Sequence, residues 1–360
     1  MTNLNRNYYF PVPDFLAMHT FALDISDQSI KYGKLVSTHK GLHLVNYGQE
    51  RIPKGVVVSG KIENDKELVS LLNKIREVNK IRFVRVSLPE EQMYLFNILL
   101  PKIDYKEIRD TILLQLEEHI PLSPQEACFD YEVISENKDG ILVNVAATSV
   151  EVIESYLSVF EQASLVPVSF ELEAQAIARA VLKKENESTV MIVDFGETRT
   201  GISIAEGDKV VFSSTFDMGG YSLTEAIAKN FNISFEEAEK MKRSYKKTDI
   251  NNKEDIFPII LNNLSVLRDE LSKHFTYWHT HDSEEGAPRS QVEKIILCGG
   301  DANLVGIADY LSATMNVKVV YADAWINIID IEKETPTMPF GQSLGYLTVI
   351  GLALADFIEE

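Results

Sequence analysis

The stretch VMIVDFGETRTGISIAEGDKVVFSSTFDMGG, residues 190–220, decides the fold. Its first four residues are all apolar, which is typical of a strand buried on both faces, and Asp194 follows where the run ends. Two further strands are predicted at 201–205 and 209–216, joined by a tight hairpin at 206–208. The pattern therefore predicts a carboxylate at the carboxyl end of a buried strand, beside a sharp turn.

The turn after this strand has the residue types of a phosphate-binding loop. Gly196 removes a Cβ where the chain must reverse, and Thr198 and Thr200 add hydroxyls and free amides above Asp194. Gly219 and Gly220 follow the hairpin and lead into a helix. Most Asp-x-Gly turns are plain β-turns, so a ligand site needs support from the rest of the chain.

Such support comes from a second copy of the pattern, 170 residues earlier. An apolar run at 21–23 ends in Asp24 and is followed by a turn and two strands. The aligned pairs are Asp24 with Asp194, Ser26 with Gly196, Asp27 with Glu197, and Ile30 with Thr200. The repeat predicts a duplicated α/β domain.

The segment between the two copies interrupts their common plan. Residues 91–166 alternate strands and helices in a compact α+β unit, which we interpret as a subdomain inserted into the first lobe. Its helix from Tyr105 to Ile120 is expected to turn Ile108, Ile112, Leu116 and the pair Leu113 and Leu114 toward a core. The expected division is a tail at 1–19, a first lobe at 20–90, 167–187 and 340–360, the insert at 91–166, and a second lobe at 188–339.

Composition excludes several classes of function. With 360 residues and 45% hydrophobic content, the chain can fill more than one core. A formal charge of −19 argues against a nucleic-acid surface. No apolar stretch is long enough to cross a bilayer and no signal peptide is evident. Two distant cysteines, Cys128 and Cys298, fit a reduced, cytoplasmic protein without direct membrane insertion.

Two more motifs lie in the second half of the chain. Ser234 and Glu237 form a predicted capping box, and on the helix that follows Glu239 and Lys242 share a face. Further on, a strand is followed by Gly299 and Gly300, and residues 301–303 lead into a helix predicted over 304–315, which would bring backbone amides close to a ligand.

The order Asp24, Asp194, the Glu239 and Lys242 helix, then Gly299 and Gly300, resembles the actin-like ATPase superfamily. That resemblance implies a two-lobe, ribonuclease H-like duplicated fold. The insert's position is similar to that in the branch containing FtsA and PilM. The segment RVSLPEEQMYLFNILLPKIDYKEIRDTILLQLEEHIPLSPQEACFDYEVI, residues 85–134, resembles the PilM family's insert, and so do LTEAIAKNFNISFEEAEKMK and IGLALADF elsewhere.

The resemblance implies ATP and Mg²⁺ as cofactors. Asp24 and Asp194 would face the Mg²⁺ through water, and Glu173 would position an attacking water. Glu239 and Lys242 would hold the ribose, and 232–290 would cap the nucleotide. The implied nucleotide-binding residues are Asp24, Ser26, Asp27, Gln28, Ser29, Lys31, Asp194, Gly196, Thr198, Thr200, Gly219, Gly220, Glu239, Lys242, Gly299, Gly300 and Asn303.

The resemblance further implies a cytoplasmic ATP-binding scaffold of the type IV pilus platform, peripheral at the inner membrane. Its partner would be the N-terminal tail of a PilN-like membrane protein, held between the first lobe and the insert. Other platform proteins and self-association are implied too. The acids Asp27 and Glu197, with Ser26 where glycine is usual, predict slow or absent hydrolysis. The alternatives are an FtsA-like filament protein and a phosphotransferase of the same superfold.

Overall fold

The computed structural model describes residues 20–38, 41–245, 255–284, 286–331 and 334–358. The N-terminal tail expected at 1–19 lies outside the described residues. The strands are β1 (Thr20–Ile25), β2 (Ser29–Thr38), β3 (Gly41–Arg51), β4 (Val57–Val58), β5 (Lys61–Ile62), β6 (Phe83–Leu88), β7 (Met93–Leu100), β8 (Ala127–Glu136), β9 (Ile141–Ser149), β10 (Val166–Leu172), β11 (Thr189–Phe195), β12 (Thr200–Glu206), β13 (Lys209–Phe216), β14 (Lys294–Cys298) and β15 (Lys318–Tyr321). The α-helices are α1 (Asp65–Asn79), α2 (Ile108–His119), α3 (Val150–Gln162), α4 (Glu173–Val181), α5 (Gly220–Phe231), α6 (Phe235–Ser244), α7 (Phe257–Thr280), α8 (Ile307–Met315), α9 (Phe340–Ser343) and α10 (Leu347–Ile358).

Two five-stranded sheets follow the same plan. The first has the order β3-β2-β1-β6-β10 and the second the order β13-β12-β11-β14-β15. In each sheet the first three strands are antiparallel and the last two run parallel to the central strand. The duplication predicted from the two Asp-containing stretches is therefore confirmed by the strand order.

The register places Asp24 and Asp194 at equivalent points of the two sheets. Asp24 pairs with Ser87 on the neighbouring parallel strand, and Asp194 pairs with Cys298 in the same way. Both central strands are almost fully buried, since every residue of β1 and every residue of β11 except Asp194 is shielded from solvent. Each aspartate therefore lies at the carboxyl edge of its sheet, where ligands bind in open α/β folds.

Helices α4 and α10 cross in the middle of the molecule and belong to the core shared by both lobes. At the crossing, a Cβ on Gly351 would lie 1.7 Å from the carbonyl oxygen of Ala176, so only glycine allows this approach. At its far end α10 is fixed to the first sheet, because the carboxylate of Asp356 accepts hydrogen bonds from Thr20 and Arg85.

The insert has its own small sheet, in the order β7-β9-β8, covered on one face by α2. One boundary differs from expectation. Helix α3 was predicted to belong to the insert, but its buried face, which includes Tyr156 and Phe160, packs with α1 and β6 in the first lobe. The Tyr156 hydroxyl also donates to the carbonyl of Gly60 at 3.0 Å. The predicted helix is therefore present, but it packs on the first lobe and not on the insert.

The prediction for the buried face of α2 is only partly right. Ile108, Ile112 and Leu116 are buried as expected, whereas Leu113 and Leu114 are 36% and 85% exposed. A helix that covers only one face of a three-stranded sheet buries a narrow stripe, and these two leucines fall outside it. Within the described ranges, we find no helix with both the length and the apolarity needed to span a bilayer.

Candidate functional site

A cavity of about 620 Å³ lies between the lobes, within the size range of small-molecule sites. Asp24 and Asp194 both line it, as does Glu173, the first residue of α4. Residues from both sheets, from α4 and from the loop before α10 therefore face one space. Among the sequence-predicted residues, the cavity is lined by Asp24, Ser26, Gln28, Ser29, Lys31, Glu173, Asp194, Gly196, Thr198, Lys242, Gly299, Gly300 and Asn303.

The turn of the first lobe is closed by its own polar groups. The amide of Ser26 donates to the carbonyl of Ser29 at 2.9 Å, and the amide of Ser29 donates to Ser26 Oγ at 3.2 Å. Asp24 is 3% exposed and accepts a hydrogen bond from Ser87 Oγ at 3.0 Å, with Lys31 Nζ at 3.6 Å from its second oxygen. The pairing of β1 with β2, in which Asp24 lies opposite Lys31, thus places one carboxylate and one cation side by side at the cavity wall.

Asp27, in the same turn, does not line the cavity. Its carboxylate accepts hydrogen bonds from the amides of Ser59 at 3.0 Å and Gly60 at 3.1 Å. Asp27 therefore anchors the turn to the loop between β4 and β5. Its prediction as a direct ligand residue does not match this placement.

The turn of the second lobe has a similar closure, since the amide of Gly196 donates to the carbonyl of Arg199 at 3.0 Å. Thr198 lines the cavity. Thr200 was expected to do so as well, but it is fully buried, and its hydroxyl donates to the carbonyl of Met218 at 2.6 Å. Thr200 therefore fixes the hairpin and has no surface toward the cavity.

Gly219 and Gly220 form the start of α5 and also lie outside the cavity lining. A Cβ on Gly219 would lie 2.5 Å from the carbonyl oxygen of Glu197, and one on Gly220 would lie 2.1 Å from Asp301. Both glycines are thus needed for close packing under the second turn. Direct ligand contact, which the sequence suggested, does not follow from their position.

Lys242 reaches the cavity from α6 with its ammonium group already engaged. Nζ lies 2.7 Å from Asp301 Oδ1, 2.9 Å from Glu239 Oε2 and 3.1 Å from the carbonyl oxygen of Gly220. Although partial burial opposes it, hydrogen bonds from Thr224, Arg243 and Lys242 hold the pKa of Glu239 down to about 2. Glu239 is outside the cavity lining and contacts Lys242 and Arg243, so its role at the ribose stays a prediction.

The double glycine after β14 brings the backbone close to Asp194. Gly299 has φ +99°, and a Cβ there would lie 2.5 Å from Asp194 Oδ1. Nothing lies within 4 Å of the Cβ position of Gly300, so its backbone faces open space. The helix predicted from Leu304 begins three residues later, since the chain makes turns up to Gly306 and α8 begins at Ile307.

Burial and the repulsion between neighbouring carboxylates disfavour the ionised forms of Glu173 and Asp194 in the cavity. Burial, together with the nearby charge of Asp24, raises the pKa of Glu173 well above its usual value. Burial also raises the pKa of Asp194, while Lys31 opposes that rise. Burial disfavours the charged form of Lys31, but Asp24, Asp194 and Glu173 outweigh it and raise its pKa. The site therefore has a surplus of acid that a cation would relieve.

The described residues contain no group of three or more His, Cys, Asp or Glu side chains arranged to hold a metal directly. The sequence predicted that Asp24 and Asp194 would contact Mg²⁺ through water. Mg²⁺ usually keeps several waters and uses only one or two carboxylates. The donor set therefore fits a hydrated ion, and the assignment stays a prediction.

Sequence reasoning missed several cavity residues that carry charge, among them Arg51, Arg199 and Asp301. Arg199 and Asp301 sit inside motifs that the sequence had identified, directly beside Thr198 and Gly300. Their position in those turns was a usable signal. Arg51 ends β3, and nothing local distinguishes it from any other exposed strand residue.

Comparison with known proteins places this geometry in a family. The family model for the type IV pilus assembly protein PilM matches residues 22–357. A solved PilM-PilN type IV pilus biogenesis complex contains a chain 23% identical to this one, with a TM-score of 0.77, over 94% of this chain and 98% of that one. MreB5 of Spiroplasma citri, solved with ADP bound, is 14% identical with a TM-score of 0.55, over 93% and 95% of the two chains.

A curated relative is the cell division protein FtsA of Staphylococcus epidermidis, 22% identical over 254 residues, or 61% of this chain. That match spans 50% of the relative's length. At such identities the solved structures show the fold, which is the predicted two-lobe, actin-like one. Because the family model covers nearly all described residues, the chain belongs to the PilM family of type IV pilus assembly proteins.

Proposed function

We propose that this chain binds ATP with Mg²⁺ between its lobes and serves as a cytoplasmic scaffold of the type IV pilus platform. The observation that carries the nucleotide site is that Asp24 and Asp194, at equivalent ends of duplicated sheets, line one cavity. A ligand there would contact both lobes at once. MreB5, which shares the fold, has been solved with ADP and with AMPPNP.

The cavity residues suit a nucleoside triphosphate. Lys31 supplies a cation beside Asp24, and the two turns bring Ser26 and Thr198, which carry hydroxyl groups, to the cavity wall. The open backbone at Gly300 gives room for the nucleoside. Asp24 and Asp194 would hold Mg²⁺ through water. Turnover is expected to be slow or absent. The carboxylate of Glu173, which would orient the attacking water, lies 3.9 Å from the guanidinium of Arg199 and is therefore already engaged by a cation.

Calorimetry of ATP binding with and without Mg²⁺ tests this site. Asp194→Ala should remove most of the Mg²⁺-dependent part of the affinity, at least tenfold, or about 1.4 kcal/mol. Glu161→Ala, which changes an exposed acid on α3, should bind as the parent does. Equal Mg²⁺ dependence in the parent and in Asp194→Ala would place the ligand elsewhere.

For the pilus role we propose that the partner is the N-terminal tail of a PilN-like inner-membrane protein, bound between the first lobe and the insert. Family membership and the solved PilM-PilN complex support this partner. The described part of the first sheet also offers an edge: β10 pairs there only with β6, and Val166 and Val168 are 45% and 40% exposed. An extended tail can add to such an edge as a further strand.

A labelled synthetic peptide with the N-terminal sequence of a PilN-like protein tests the partner by fluorescence anisotropy. Val168→Asp should weaken binding, whereas Val78→Asp, at a 74% exposed valine on α1, should not. Equal binding by both variants would exclude this edge. Recruitment through a partner also predicts no pelleting with bare liposomes. ATP-dependent filaments in a sedimentation assay would instead favour the FtsA-like alternative.

A further inference from the structure

Two arginines beside the cavity contact acidic side chains of the opposite lobe. Arg51, at the end of β3 in the first lobe, places Nη1 at 2.9 and 2.8 Å from the two carboxylate oxygens of Glu197 in the second. Arg199, in the second lobe's turn, contacts Glu91, where the first lobe's β6 leads into the insert, and lies 3.9 Å from Asp27 Oδ1 of the first lobe. Charge contacts therefore run between the lobes in both directions.

We propose that these residues form an interlobe clasp, namely Arg51 with Glu197 and Arg199 with Asp27 and Glu91. The clasp holds the lobes in the arrangement described, and the phosphates of a bound nucleotide compete with the carboxylates for the arginines. Only the identity of this competing ligand rests on the proposed function. The holding role rests on the contacts alone.

Burial makes Arg199 the stronger half of the clasp. The Arg199 side chain is 12% exposed and that of Glu91 is 14% exposed, whereas that of Arg51 is 58% exposed. Solvent and salt screen an exposed pair and leave it little net energy, while partly buried charges are screened much less. In addition, Glu91 Oε2 is buried without a hydrogen-bond partner among the described residues. Losing Arg199 would therefore leave a poorly solvated carboxylate uncompensated.

The clasp gives a reason for the unusual acids in the two phosphate turns. Asp27 and Glu197 occupy aligned positions in the duplicated turns, and each lies near an arginine of the other lobe. Left alone, these acids would repel a polyphosphate. Because they are paired, a polyphosphate must displace them from the arginines in order to gain those cations. The affinity for the ligand and the lobe arrangement are then coupled by linkage.

The first test measures the distance between the lobes in the full-length chain. Spin labels at Lys61→Cys and Lys240→Cys, both exposed sites, report it in a Cys128→Ser background. Without added nucleotide, Arg199→Gln should broaden and shift the distance distribution. Arg268→Gln, which removes an arginine paired with its neighbour on the same helix, should leave the distribution unchanged.

The second test uses inorganic triphosphate as the probe and calorimetry as the readout. Arg199→Gln should weaken triphosphate binding severalfold. The double variant Asp27→Asn/Glu91→Gln should tighten it severalfold, because it frees the arginine. If Arg199 had a purely structural role, triphosphate affinity would fall in both Arg199→Gln and Asp27→Asn/Glu91→Gln.

A folded Arg199→Gln, as judged by circular dichroism, with an unchanged distance distribution would overturn the clasp. If Arg199→Gln fails to fold, Asp27→Asn/Glu91→Gln takes its place in the distance measurement, with the same expected broadening. If ATP binds to the parent but no clasp variant moves the lobes, the clasp fails and the proposed function stands. If ATP does not bind to the parent but Arg199→Gln shifts the distance between the lobes, the proposed function fails and the clasp stands.

Discussion

Replacing Lys242 by methionine tests how the second lobe holds its charges. The Lys242 side chain is 2% exposed, and its ammonium group contacts Asp301, Glu239 and the carbonyl oxygen of Gly220 within 3.1 Å. Methionine keeps most of the volume and the unbranched shape, so packing changes little. What disappears is the cation. Asp301 then has no compensating partner of comparable proximity in the described structure.

The expected loss follows from the burial of the partners. Removing one member of a buried ion pair costs about 3–5 kcal/mol, because the other charge stays desolvated. Glu239 keeps its contact with Arg243 at 2.6 Å, and that contact limits the damage on its side. Burial already raises the pKa of Asp301 while Lys242 opposes the rise, so this carboxyl can take up a proton once the cation is gone. We therefore expect a loss near the lower limit, about 3 kcal/mol.

Urea unfolding followed by the fluorescence of the buried Trp278 and Trp325 measures this loss. The double variant Lys242→Met/Asp301→Asn, which removes both charges, should recover about half of it, since neighbouring effects are not additive. A loss below about 1 kcal/mol for Lys242→Met would show that the lysine is free for a ligand. The pairing of Lys242 with Asp301 would also be refuted if the losses of Lys242→Met and Asp301→Asn simply added up in the double variant.

Three further predictions concern other parts of the molecule. Gly351→Ala should cost about 3 kcal/mol and lower the midpoint of thermal unfolding, because the new Cβ would meet the carbonyl of Ala176 at 1.7 Å. Glu173→Gln should stabilise the chain at pH 8 and have no such effect below about pH 4.5. The pKa of Glu173 is raised in the folded state, so its ionised form disfavours folding by about 1.4 kcal/mol for each pH unit between the unfolded and folded pKa values. Urea unfolding from pH 4 to 8 measures this dependence. Leu114→Gln should change the free energy of unfolding by less than about 0.5 kcal/mol, whereas Leu116→Ala should cost about 2–5 kcal/mol in the same assay.

Much of the fold could be predicted because strand burial and chain reversal are local properties. Apolar runs that end in Asp24 and Asp194 identified the central strand of each sheet, and their repetition revealed the duplication. The capping box of Ser234 and Glu237 also forms as predicted. Helix α3 shows the limit of such reasoning. Its periodicity indicates a buried face but not which lobe covers it, since that depends on contacts with distant segments.

The candidate site was predictable to the level of its turns. Within a turn, the sequence does not tell which side chains face the ligand: Thr198 lines the cavity, while Thr200 turns inward to the carbonyl of Met218. Long charged side chains were the hardest to place. Arg199 contacts Glu91 between β6 and β7, 108 positions away, and a choice among many possible partners at that range has no local signature.

The path of the chain through the first lobe constrains the order in which the molecule can be completed. That lobe needs β1 to β6, then α3 to α4, and finally α10, which packs against both α4 and the first sheet. The second lobe's sheet, in contrast, is built from one continuous stretch, β11 to β15. The strands of the second sheet therefore leave the ribosome as one block, whereas the core that the two lobes share lacks its last helix until α10 has been made.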